Sequence, residues 1–257
     1  MEGSHKMHAK IRFMNIEIDN LSMGEAVDAI DALIERNSPS FVVTPNADHL
    51  VLLEKNVELQ QAYAHADLCL ADGMPVIWAA KLYRTPIKEK VSGADLFPQL
   101  CARAAQKKYK MFFLGAKDGV AEIAAQKLRS QYPDLQIVGT YAPPMHFEED
   151  SEEMQKVTRM ILDAKPHILV VALGCPKQEI LMDKYRDVFR VPVSIGVGGT
   201  LNFVAGTVKR APKWMSNHGL EWLYRMRQEP RRLFKRYVLR DWHFFRLFLK
   251  YLHARKD

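Results

Sequence analysis

The stretch HILVVALGCPKQEILMDKYRDVFRVPVSIGVGG (His167–Gly199) decides the fold. It holds two short, continuously apolar runs, HILVVALG and PVSIGVGG, separated by the helical pattern PKQEILMDKYRDV. An apolar run without alternation is expected of a strand covered on both faces. Pro176 suits the first turn of the helix between them. The unit is therefore strand, helix, strand, and its two strands must run parallel.

Outward from this unit the pattern repeats. Further strands are expected at 12–19, 40–45, 68–71, 110–114 and 136–140. Helices are expected in SMGEAVDAIDALIERN, DHLVLLEKNVELQQAYAHA, DGVAEIAAQKLRSQY and SEEMQKVTRMILDAK. Ser22 and Glu25 have capping-box spacing. The fold class is α/β: a Rossmann-like, mostly parallel sheet with helices on both faces. Neither an internal repeat nor a low-complexity segment interrupts it.

The last fifty residues differ. Residues 208–257 hold 14 Lys and Arg against four Asp and Glu, a surplus of +10. The 207 residues before them sum to −3, giving +7 for the whole chain. GLEWLYRMRQEP forms one helical pattern, closed near Pro230, and RRLFKRYVLRDWHFFRLFLKYLHARK forms another. In the second, Arg236, Arg240, His243, Arg246 and Lys250 recur at helical spacing. Leu233, Tyr237, Trp242, Phe245, Phe248 and Leu252 fall largely elsewhere, so the segment is amphipathic. The expected organisation is an α/β catalytic body over 11–207 and a basic helical appendage over 208–257. The body's full set of alternating elements reads as able to fold alone. A slightly acidic body with a cationic tail points to an anionic partner.

Cys69, Cys101 and Cys175 are odd in number, far apart and free of any C-x-x-C, which fits a reducing compartment better than a disulfide or zinc framework. The polar opening MEGSHKMHAK lacks the apolar stretch of a signal peptide. No apolar run nears the roughly 18 residues needed to cross a bilayer. A chain that does not span a membrane is expected.

In open parallel sheets, ligands bind beyond the carboxyl ends of the strands. Four such ends carry small or polar turns: TPNADH after the second strand, ADGMP after the third, GCPKQE after the sixth and GVGGTLN after the seventh. Each has a plain alternative. Asp72 can serve as a turn or cap residue, and Thr44 and Asn46 can shape a turn. Gln178 can be solvated, Gly198–Gly199 can serve close packing, and His49 can be a local hydrogen-bonding residue. Together the four turns suggest one cleft for a phosphorylated or sugar-containing ligand. No P-loop, G-x-G-x-x-G or H-E-x-x-H occurs. No Asp-x-Asp of the kind that holds a divalent ion on a nucleotide diphosphate is present. The nearest pair, Glu17 and Asp19, is explained by facial alternation in the first strand.

The motifs TPNADHL, LADGMPVIWAAK, EKVSGADLF, FFLGA, GCPKQE, GVGGTLNFVAG and KRAPKWM…LEWLYRMRQEPRRLFKRY occur in this order. Together they resemble the WecG/TagA/CpsF family of bacterial glycosyltransferases across about residues 12–240. The resemblance implies an inverting transferase, and the missing Asp-x-Asp makes a metal-independent reaction without a cofactor the expectation. Its donor would be a UDP-sugar, N-acetylmannosamine-like, and its acceptor a sugar on a polyprenyl diphosphate, in cell-surface polysaccharide or teichoic acid synthesis. It implies Asp72 as catalytic base, Thr44 and Asn46 lining the donor pocket, and Gln178 at the sugar-phosphate end. Gly198 and Gly199 would shape the pocket, while Arg225, Arg232 and Lys235 would reach a diphosphate. Lys90 stands where the family often has arginine, which replaces a bidentate contact with a point charge. Asn202 stands where aspartate is frequent near the base. The appendage would bind an anionic membrane surface, placing the protein peripherally on the inner face of a bacterial membrane. Nucleic acid is not an expected partner, and a homo-oligomer stays open. Two other readings remain at this point: a Rossmann-like nucleotide-cofactor enzyme and a basic-tailed nucleic-acid-binding protein.

Overall fold

The computed structural model describes residues 9–228, 230 and 241–254. A hairpin, β1 (Lys10–Phe13) and β2 (Ile16–Asp19), precedes α1 (Met23–Arg36). Then follow β3 (Phe41–Val43), α2 (Ala47–Leu53), α3 (Val57–His65), β4 (Leu68–Cys69), α4 (Met74–Leu82) and α5 (Gly93–Lys107). The second half contains β5 (Lys110–Gly115), α6 (Val120–Gln131), β6 (Gln136–Tyr141), α7 (Ser151–Ala164) and β7 (Ile168–Ala172). It continues through α8 (Lys177–Lys184), α9 (Arg186–Phe189), β8 (Val193–Gly196) and α10 (Thr200–Ala205). The described appendage holds α11 (Lys213–Asn217), α12 (Glu221–Gln228) and α13 (Asp241–Ala254).

Six strands form one sheet in the order β4-β3-β8-β7-β5-β6, and every neighbouring pair is parallel. The deciding stretch sits at its centre, with β7 and β8 side by side. Successive residues of β5 and β7 alternate between two apolar layers. Met111, Phe113, Ile168 and Val170 join one with α1, α5, α6 and α10. Phe112, Leu114, Leu169 and Val171 join the other with α2, α4, α7, α8 and the hairpin. Burial on both faces explains the absence of hydrophobic alternation in these strands.

The expected helix boundaries hold closely where the caps are legible. The reciprocal Ser22–Glu25 box opens α1, and Asp150 caps α7. Other expectations change. Residues 12–19 form a hairpin rather than one strand, because Met14 turns the chain at a φ of +53° without the glycine that usually marks such a turn. Asp19 is not an alternating surface residue: it is buried and accepts the Cys69 backbone N–H at 2.9 Å. The helix expected over 48–66 is two, since the Asn56 side chain accepts Leu59 N–H and starts α3 afresh. Helices α4 and α5 were not expected. Each contains a proline, Pro75 at the start of α4 and Pro98 within α5.

The terminal helix also departs from expectation. Phe244, Leu247 and Phe248 of α13 are buried in the body's second apolar layer, with Phe13, Leu50 and Leu53. Lys250 and the Tyr251 hydroxyl both reach Glu54 at 2.9 Å. The buried stripe therefore runs through Phe244 and Leu247, and Phe245 is 52% exposed instead of lying on the apolar face.

Candidate active site

The turns after β3, β4, β7 and β8 converge on one edge of the sheet. Asp72 lies between β4 and α4, its backbone N–H donating to Pro45 O at 2.9 Å. Gly73 follows at a φ of +93°, a conformation that only glycine adopts readily. Gly73 is itself the N-cap of α4, and no side chain bonds to that helix end. The cap reading of Asp72 therefore has no support in the geometry. Its carboxylate instead accepts the backbone N–H of Gly93, the first residue of α5.

Burial pushes the Asp72 carboxyl up to about 7, and the neighbouring carboxylates Glu221 and Asp95 push in the same direction. The Lys90 ammonium and the Gly93 N–H pull the other way and do not cancel them. A group so poised can accept a proton near neutral pH.

Thr44 is buried with its hydroxyl beside Gly93, 3.5 Å from where a Cβ there would stand. Asn46 is the N-cap of α2. Its carbonyl accepts Asp48 N–H at 3.1 Å and His49 N–H at 3.3 Å, leaving its NH₂ for any further contact. Nδ1 of His49 bonds locally to Tyr63 at 2.8 Å.

Gln178 is neither solvated nor free. It is 3% exposed, and its Oε1 accepts both Gly174 N–H and Gly198 N–H at 3.1 Å. Its Nε2 donates to Glu179 at 2.8 Å. The side chain thus clamps the turn after β7 to the turn after β8. The clamp demands glycine at position 196, where a Cβ would stand 2.6 Å from Gln178 Nε2. Gly198, at a φ of +50°, and Gly199 then lead into α10. Asn202 in α10 accepts the Thr207 hydroxyl through Oδ1 at 3.3 Å.

From the appendage, Arg225 reaches the same edge. Its guanidinium lies 5.6 Å from the Phe203 ring centroid, with Nη2 3.8 Å from the Cβ position of Gly199. Its Nε is buried without a hydrogen-bond partner among the described residues. Arg232 and Lys235 lie outside the described residues.

Lys90 bridges body and appendage. Its Nζ is 3.2 Å from Asp95 and 3.4 Å from Ser216 Oγ, and Ser216 in turn donates to Glu221 at 2.5 Å. Arg210 completes the contact with Asp95 at 2.6 Å and Ala94 O at 3.3 Å. The Ala94 carbonyl is available because Pro98, four residues on, has no N–H to offer it. Sequence reasoning missed Asp95, Arg210, Ser216 and Glu221. The Ser92-x-x-Asp95 spacing ahead of Leu-Phe was a readable helix start, but the partners in the appendage carry no local signal. At the opposite edge, a charged recess is lined by Arg36, His65, Asp67, Asp183 and Arg186. These five charged groups pair with one another.

Comparison with known proteins places the chain among glycosyltransferases. The model of the glycosyl transferase WecG/TagA/CpsF family matches residues 11–257. An N-acetylglucosaminyldiphosphoundecaprenol N-acetyl-beta-D-mannosaminyltransferase of Bacillus spizizenii (strain ATCC 23059 / NRRL B-14472 / W23) is 32% identical over 199 residues, 77% of this chain and 75% of the relative. A protein of the same name from Bacillus subtilis (strain 168) is 30% identical over 217 residues, 84% and 82% of the two chains.

Proposed function

The chain belongs to the WecG/TagA/CpsF family of glycosyltransferases, and from that premise we propose that it moves an N-acetylmannosamine-like sugar from UDP to a sugar on a polyprenyl diphosphate. The carrying observation is a desolvated carboxylate, Asp72, poised near neutral pH where the strand ends converge. In the proposed step Asp72 takes the acceptor hydroxyl proton as that oxygen bonds to the anomeric carbon. The bond from that carbon to the diphosphate breaks in the same displacement, with inversion. A positioned base supplies about 10²–10⁴ in rate. Among the described residues, Arg225, with its unsatisfied Nε, and Lys90 are cations available for the leaving diphosphate. The test is a panel of UDP-sugars with a short-chain lipid-diphosphate acceptor, read by mass spectrometry. Transfer to no member of the panel would overturn the reading.

Because protein cations take this role and the sequence offers no Asp-x-Asp, the proposal includes a metal-independent reaction. EDTA is expected to leave the rate of the same assay within about twofold. A complete loss reversed by magnesium would assign charge stabilisation to a bound ion instead.

Peripheral membrane binding is part of the proposal. Among the described residues no helix is long and apolar enough to cross a bilayer. The apolar face of α13 is spent on the body, so lipid contact shifts to α4, α11 and α12. There Leu82 (69% exposed), Trp214 (61% exposed), Trp78, Trp222 and Leu223 face solvent. The turn at Gly219 packs directly on Trp78 and joins these helices into one surface, with Lys209, Lys213 and Arg227 close by in sequence. Amphipathic surfaces of this composition settle at the headgroup boundary. The double variant Leu82→Asp, Trp214→Ser is expected to weaken retention on anionic liposomes by on the order of 10-fold. Its turnover on a water-soluble acceptor should stay near that of the unaltered protein. Unchanged retention would remove this surface from the proposal.

A further inference from the structure

Glu179 has no exposed surface, and its Oε2 lacks a hydrogen-bond partner among the described residues. Its Oε1 accepts Gln178 Nε2 at 2.8 Å. Nδ1 of His49 stands 4.0 Å from Oε1, too far for a hydrogen bond. A carboxylate oxygen taken out of water and left bare is costly, and a cation relieves that cost.

Two further donors stand beside it. His49, on α2, is buried, and Cys175 lies in the turn between β7 and α8 with its thiol free of any disulfide. One ligand atom from each of His49, Cys175 and Glu179 lies within 4.8 Å of the other two. A zinc-class ion bonded at about 2.0–2.3 Å holds tetrahedral donors roughly 3.5 Å apart, so side-chain shifts of about 1 Å close the set. Cys175 is half-buried, which gives an ion a way in from the surface. We propose that His49, Cys175 and Glu179 form a binding site for one thiophilic divalent cation of the zinc class, which ties α2 to the turn after β7.

The donor set selects the ion. One sulfur, one imidazole nitrogen and one carboxylate oxygen suit zinc or cobalt, whereas magnesium and calcium take oxygen ligands. Oε2 of Glu179 meets the ion while Oε1 stays with Gln178, so the clamp on Gly174 and Gly198 persists. Cys175 binds as the thiolate and releases its proton. The Tyr63 hydroxyl, 2.8 Å from His49 Nδ1, competes with the ion for that nitrogen. Three protein ligands leave a fourth position for water. The ion has no part in the sugar displacement, and the site stands whether or not that reading holds. Asn46 caps α2 and Gln178 opens α8, so a bound ion stiffens the side of the cleft they share.

The test uses the full-length protein, stripped with EDTA, dialysed and titrated with Co²⁺. One equivalent should produce a thiolate-to-cobalt charge-transfer band in the near ultraviolet. Zn²⁺ should displace the cobalt and abolish the band, and Mg²⁺ should not. Cys175→Ser should remove the band, while Cys101→Ala, a change in the apolar core away from the site, should keep it. His49→Gln and Glu179→Gln should each weaken Co²⁺ binding at least about 10-fold, and Tyr63→Phe should tighten it. Zn²⁺ should raise the melting temperature of the unaltered protein and leave that of Cys175→Ser unmoved. Cys175→Ser exchanges a single atom at a half-buried position, so the proposal remains testable if the variants at the two buried ligands fold poorly. No band at stoichiometric Co²⁺, or a band that survives Cys175→Ser, overturns the proposal.

Discussion

Replacing Asp72 with Asn is expected to cut turnover by at least about 10², with UDP binding retained, because a base acts only in the chemical step. The pH dependence sharpens the test. The carboxyl is pushed up to about 7, so the unaltered protein should lose activity as pH falls through that value, and the residual activity of the Asn variant should not. Stability should move oppositely. A carboxyl whose folded-state value is raised holds its proton better when folded, so stability falls as pH rises from the ordinary carboxylate range through about 7. Asn removes that loss, and the variant should melt no lower than the unaltered protein at pH 8. A residue that only shaped the β4–α4 turn would leave turnover intact. Melting temperature and turnover measured across pH on one preparation decide the matter.

Removing residues 241–257, which include α13, is expected to cost about 5 kcal/mol, because three large apolar side chains lose their cover at roughly 1.5–3 kcal/mol each. Phe244, Leu247 and Phe248 leave, and Leu50, Leu53 and Phe13 become exposed beneath them. A domain's whole stability is about 5–15 kcal/mol, so a fall of about 10 °C or more in melting temperature should follow, with a tendency to aggregate. The isolated Glu54 pairings with Lys250 and Tyr251 add little, being near the surface. The expectation that the body folds without its tail changes accordingly: α11 and α12 can be discussed as an active-site cover, but α13 is part of the core. A truncated protein that melts with the full-length chain would show that α13 only rests on the body.

The parallel sheet was legible in the sequence because its signal is local. A strand buried on both faces must be apolar at nearly every position, and 168–173 and 193–197 are, with Ser194 the one polar residue. The same holds for the cap at Ser22, where one side chain satisfies an amide three residues on. The hairpin at Met14 and the helices containing Pro75 and Pro98 were not legible for the converse reason. There the tertiary setting supports a residue that local propensity disfavours: Arg210, from over a hundred residues away, donates to the Ala94 carbonyl that Pro98 leaves unpaired.

The candidate site divides along the same line. Asp72, Thr44, Gln178 and the Gly198–Gly199 pair could be named from motifs, since each sits where a strand ends and the fold itself makes such ends the cleft. Their chemical states could not be named. Gln178 proves to be a clamp because two glycine amides from different strands happen to meet its carbonyl. The proton affinity of Asp72 depends on burial and on charges at positions 90, 95 and 221, which no sequence window spans. Hydrophobic periodicity and capping are written within a turn or two of chain, so the sequence by itself determined the sheet and the residues at its edge. Desolvation and the pairing of charges depend on distance in space, so only the tertiary structure decided how readily Asp72 holds a proton and which face of α13 is spent on the core.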